Sequence, residues 1–142
     1  MDAYAGLEHW LDQIALRLEP TQRRELMRRL AQGFRVRQRD RIKQQRDPNG
    51  HLFIPRKRNQ IGNKKRQGAL FQNIGKDIKT EYSANHAAVG FGGRTAHIAE
   101  VHQEGKTIKP SRYAKATQYP IRELLGFSKD DEKWIEQEIN YF

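Results

Sequence analysis

The sequence predicts an α+β protein: a basic helical region at the N-terminus, a small antiparallel sheet with a short helix at its edge, and a closing C-terminal helix. Apolar residues recur at helical spacing near both ends of the chain, and an alternating stretch lies between them, broken by Ser83-Ala84-Asn85 and Gly92-Gly93. At 142 residues the chain fits a single domain, read as a helical basic region over 1–46, a turn and flexible basic loop over 47–67, and an α+β core over 68–142.

The first expected helix covers 3–18, where Leu7, Trp10, Leu11, Ile14 and Leu18 form one stripe. Its acidic residues suit docking on the basic segment that follows. Glu19-Pro20 ends it, and Thr21 is the expected N-cap of a long helix over 22–45. That helix has a thin apolar face (Leu26, Met27, Leu30, Phe34, Ile42) and a glycine, Gly33, in its middle. Asp47-Pro48-Asn49-Gly50 is a turn signal, because proline presets φ and glycine relieves the cost of an unusual one.

Beyond a basic loop, residues 78–82 and 87–91 read as a hairpin, and Gly92-Gly93 interrupts the second strand. Thr95 is the expected cap of a short helix through Gln103, stopped by Gly105. Residues 106–120 read as a polar loop, and the apolar stretch 121–127 as a strand laid across the hairpin. Ser128 with Asp131 resembles a capping box, opening a last helix that carries Trp134, Ile135 and Ile139.

Charge is unevenly distributed. Residues 21–66 hold 16 Lys and Arg against 3 Asp and Glu, a net +13 in a chain whose total is +10. Such a segment favours nucleic acid, acidic protein surfaces or anionic membranes by long-range steering. Arginine also suits forked pairing with the carboxylates of a neighbouring protein, so charge alone leaves nucleic acid and protein interface equally open. With 36% apolar residues the chain is too apolar and too periodic to be disordered. It has no cysteine, hence no disulfide or thiolate metal site, and no apolar run that approaches a membrane span or a signal peptide.

Reacting groups do not assemble in the sequence. His86, His97 and His102 lack the i, i+4 spacing of a helical zinc pair, so no metal or other cofactor is expected. Gly90-Phe91-Gly92-Gly93-Arg94 lacks the full phosphate-loop pattern and reads as a tight turn. Gly-x-Ser-x-Gly is absent and the carboxylates are scattered, which leaves no catalytic residue to name and predicts a protein that is not an enzyme. A nuclease hidden in an unfamiliar fold would have to draw on residues such as Glu100 or His102.

Three stretches together carry a family resemblance. They are the arginine-rich helix running through Asp47-Pro48-Asn49-Gly50 to Pro55-Arg56-Lys57; Val89 to Arg94 followed by Ile98-Ala99-Glu100-Val101-His102-Gln103-Glu104-Gly105; and Tyr119-Pro120-Ile121-Arg122-Glu123-Leu124-Leu125-Gly126-Phe127-Ser128. In this order and spacing the chain resembles the phage virion morphogenesis family of temperate contractile-tailed phages, over nearly its whole length. It departs from the family where Glu123 stands in place of a proline after Arg122.

The resemblance implies a structural role: finishing the tail at the neck so that it can be joined to the DNA-filled head. It implies a homohexameric ring, contacts with other neck and tail-end proteins, non-specific contact with packaged DNA, and no membrane. The place of work would be the host cytoplasm during assembly, then the virion. Arg24, Arg28, Arg35, Arg39, Arg56, Lys57 and Arg58 are the candidates for contact with a partner or DNA. His102 and Gln103 are candidates for an interface. Asp47, Pro48, Gly50, Gly92, Gly93, Gly105, Gly126 and Ser128 are expected to set turns and caps. The alternative is a sequence-independent nucleic-acid-binding protein that uses the basic helix and loop.

Overall fold

The computed structural model describes residues 17–56 and 69–142. The helix expected over 3–18 lies almost wholly outside the described residues, as do Lys57 and Arg58. In chain order the elements are α1 (Pro20–Lys43), a 3-10 turn (Ile74–Asp77), β1 (Ile78–Ser83), β2 (His86–Phe91), α2 (Gly93–Glu104), β3 (Thr107–Ile108), β4 (Thr117–Gln118) and α3 (Lys129–Tyr141). The fold class is therefore α+β, with small sheets between helices at either end. None of the described helices is long and apolar enough to cross a membrane.

Two compact units divide the chain. The first holds the chain up to Arg37, Lys79–Val89 and Phe127–Phe142; the second holds Gln38–Ile78 and Gly90–Gly126. The first is built on Leu26, Met27 and Leu30 of α1 and Ile135 and Ile139 of α3, all buried. Tyr82 and Ala87 of the β1–β2 hairpin pack against that cluster, as do Leu18, Phe127 and Trp134. Phe34 stacks on Phe127 with ring centroids 4.8 Å apart. Gly33, the weak point of the helical pattern, has a packing reason: a Cβ there would lie 2.3 Å from Cζ2 of Trp134.

Helix starts differ from expectation in two places. α1 opens at Pro20 rather than being capped by Thr21, and the Glu19 N–H donates to Oε1 of Gln22. Proline suits that first position because its missing N–H would be unpaired there anyway. α2 starts three residues early, with Gly92 as its N-cap, and the Thr95 hydroxyl instead donates to Oδ2 of Asp77 at 2.6 Å. α3 opens as its sequence predicts: Ser128 Oγ accepts from the Asp131 N–H, and the Ser128 N–H donates to Asp131 Oδ2.

In the second unit Ile42, Phe53, Ile74, Ile78, Val101 and Leu124 are buried. Gly105 closes α2 in the left-handed conformation at φ 68, its N–H donating to the Val101 carbonyl. The Asp47–Gly50 turn forms as expected. Asp47 Oδ1 accepts the N–H groups of Asn49 and His51, and Gly50 takes φ 88. Pro48 is buried beside Gly126, where a Cβ would come within 2.6 Å of the proline ring.

Two expectations fail here. Residues 106–120 are not wholly loop, since β3 and β4 pair antiparallel with Thr107 opposite Gln118. Residues 121–127 are not a strand. Their backbone groups are taken by a helix-end carbonyl and by glutamine side chains, so no ladder is available to them.

Candidate functional site

Arg23, Arg24, Arg28, Arg29 and Arg37 of α1 face partners within the first unit. α3 carries Asp130, Asp131, Glu132, Glu136 and Glu138, and two α1 arginines meet it directly. Arg37 Nε lies 2.6 Å from Oδ1 of Asp131, and its guanidinium sits over the Trp134 ring. Arg29 lies 2.8 Å from Glu138 and over the rings of Tyr141 and Phe142. Arginine suits both kinds of contact at once, as its fork pairs with carboxylates while its flat face stacks.

Among the candidate contact residues, Arg24 is exposed, with its guanidinium 5.0 Å from the centre of the Tyr82 ring. Arg28 pairs with Glu25 one turn away and donates to Gln32. That contact holds the Glu25 carboxyl below the usual range and pushes Arg28 up. Arg35 is half-buried. In the second unit, Arg39 runs against Gly75 and reaches Asp40 at 3.5 Å. Arg56 donates to the Ala69 carbonyl at 3.2 Å, at the rim of an open groove of about 570 Å³ that Phe71, Asp77, Thr95 and Ile98 also line.

The second unit brings parts of all three resemblance-bearing stretches together in one polar brace. Arg122, only 4% exposed, donates from Nε to the Ile54 carbonyl at 2.7 Å and from Nη2 to the Pro55 carbonyl at 3.1 Å. Its own N–H donates to the His102 carbonyl. Gln103 accepts the N–H groups of Leu124 and Leu125 on Oε1 and donates to the Leu125 carbonyl. Gln38 Oε1 accepts the Gly126 N–H, and Arg41 donates to the carbonyls of Leu124 and Arg46. Gln45 exchanges hydrogen bonds with Leu70, mimicking a strand partner. The effect is to fix irregular backbone without a sheet.

His102 sits inside this brace, its ring edge-on to both Phe71 and Tyr119. Burial, and then the neighbouring Arg122 charge, push its pKa down to about 4. The Arg122 guanidinium is itself pushed down, first by burial and then by Arg56. His102 and Gln103 are thus half-buried and bonded within their own unit. Gly93 and Gly105 take the positive φ that glycine permits, whereas Gly92 is extended and Gly126 is needed for its close approach to Pro48.

Sequence reasoning missed Arg122, Gln38, Arg41 and Gln45. The available signal was a lone arginine inside the apolar stretch 121–127, a pattern that fits a buried cation holding carbonyls. The pairing of α1 with the acidic α3 was missed as well, because opposite charges on two distant helices do not say that the helices meet. Among the described residues, no group of three or more His, Asp or Glu side chains is placed to hold a metal ion.

In both units the polar side chains that converge hold backbone or one another, an arrangement that fixes a shape. The chain belongs to the phage virion morphogenesis family, whose model matches residues 2–141. It is 31% identical over 144 residues to tail completion protein S of Escherichia phage P2, covering 98% of this chain and 96% of that protein. No solved structure matches it.

Proposed function

We propose that this protein completes the phage tail at the neck and makes it competent to join the head. The observation that carries the reading is the match to a tail completion protein along 98% of this chain. It acts by binding, with no chemical step. The working form is a ring of identical subunits, six by the symmetry expected of a tail tube, with other neck and tail-end proteins as partners. Exposed apolar residues supply material for such contacts: Leu52, Ile54, Ile98 and Ile121 in the second unit, Val36 and Tyr141 in the first. The protein would assemble in the host cytoplasm and end in the virion tail.

The nucleic-acid alternative places DNA on the basic helix and the basic loop, the latter lying mostly outside the described residues. The ion pairs of Arg29 and Arg37 with α3 weigh for a bracing use of that helix instead. The test is deletion of the coding sequence from the phage genome, followed by electron microscopy of the lysate. Filled heads beside separate tails are expected. Intact infectious particles would overturn the reading.

A further inference from the structure

The β3–β4 ladder holds out an arm, residues 109–116, that reads Lys-Pro-Ser-Arg-Tyr-Ala-Lys-Ala. Lys109, Arg112 and Lys115 recur at every third position, and no Asp or Glu occurs anywhere from Gly105 to Arg122. Lys106, at the foot of the arm, is neutralised by Glu100 at 2.7 Å and Glu104 at 3.3 Å. By contrast, none of the three arm cations forms an ion pair among the described residues. At its tip Tyr113 is 90% exposed, with the Arg112 guanidinium over its ring. A turn holds the tip, where the Ala114 N–H donates to the Ser111 carbonyl.

We propose that this arm is a contact for a nucleic-acid backbone, the three cations meeting phosphates and Tyr113 offering a face to a base or sugar. Cations at regular spacing beside an open aromatic ring are what sequence-independent binding of a nucleic-acid strand requires. The basic segment of a second copy, net +13 over residues 21–66, is a poor occupant, because the arm would approach like charge. The arm also has a single large apolar side chain, too little for the dry centre of a protein interface. The inference stands whether or not the tail reading does.

The test uses the full chain and labelled DNA of mixed sequence, single-stranded and duplex, with binding followed by anisotropy between about 50 and 200 mM salt. The triple variant K109Q/R112Q/K115Q should weaken binding at least about tenfold and flatten the slope of log affinity against log salt by about 2 to 3. Y113A separates the sources: a loss of about fivefold or more on the single strand alone assigns the arm to unpaired bases. An unchanged Y113A beside a weakened triple variant assigns it to duplex phosphates. Matching melting curves confirm that the variants fold. Wild-type affinity and slope in the triple variant, with loss in R56Q/K57Q/R58Q instead, would overturn the proposal. So would a wild-type chain that does not bind DNA.

Discussion

The Arg122 guanidinium meets Nδ1 of His102 at 3.1 Å, and because arginine only donates, that ring nitrogen must be the acceptor. His102 is therefore neutral in the folded protein, and its proton would displace the bond that helps aim Arg122 at the Ile54 and Pro55 carbonyls.

A pH dependence follows with a definite sign. The His102 pKa falls from 6.5 in the unfolded chain to about 4 when folded, so the unfolded state takes up the proton first. The stability it contributes is whole above pH 6.5, declines as pH falls, and is gone below about 4. Because the ring is only half-buried, solvent screening reduces the effect to about 1–2 kcal/mol. Thermal melts from pH 7 to 4 should show a slope in the wild type that H102Q flattens. Parallel profiles would sink this assignment.

Gly33 and Trp134 define a second expectation. Alanine is the better helix former by about 1 kcal/mol, so G33A would stabilise an isolated helix. In this core its methyl group would collide with the edge of the Trp134 ring, and overpacking of that kind costs about 1–3 kcal/mol. Urea denaturation should show G33A less stable than the wild type, and W134L should remove most of the penalty in the double variant. A stabilised G33A would show that the ring moves aside at little cost.

Asp131 serves two structures at once, capping α3 and receiving Arg37. Its side chain is only 4% exposed while that of Arg37 is 33% exposed, so water can reach the arginine but not the carboxylate. Truncation is therefore expected to be asymmetric. D131A should cost about 2–3 kcal/mol, the lost cap adding to the lost pair, and R37A about 1–2 kcal/mol. A double-variant cycle by chemical denaturation should return a coupling of about 1 kcal/mol or more. Equal and additive losses would mean that the pair contributes nothing beyond the cap.

What the sequence made legible and what it hid divide by range. The Ser128–Asp131 box, the left-handed Gly105 stop and the Asp47 turn depend on residues two to four apart, and local chemistry settles them. Residues 121–127 look like a strand because their apolar content matches one, yet their partners are Gln103 and the His102 carbonyl, about 20 positions away. Periodicity carries no record of a side chain standing in for a sheet neighbour. The same holds for the arginine helix. Its charge was plain in the sequence, but the carboxylates of Glu138 and Asp131 that face it lie some hundred residues later. The family stretches were recognisable as strings before the structure gave them a shared purpose in the polar brace.

Gln103 offers the sharpest test of that brace. Its Oε1 accepts two backbone N–H groups and its Nε2 donates to one carbonyl, so all three bonds close on Leu124 and Leu125. Q103M keeps the length and apolar stem but strands two donors and an acceptor, at about 1–3 kcal/mol for each group that water cannot reach. Q103E keeps the acceptor and should be the milder change, losing the donated bond and placing a carboxylate oxygen against the Leu125 carbonyl. Hydrogen exchange should locate the effect: the amides of Leu124 and Leu125 lose protection in Q103M, whereas the Ser128–Asp131 cap keeps it. If Q103M and Q103E melt alike with unchanged exchange at Leu124, the glutamine is a bystander and the stretch is held by Arg41, Gln38 and the bonds of Arg122.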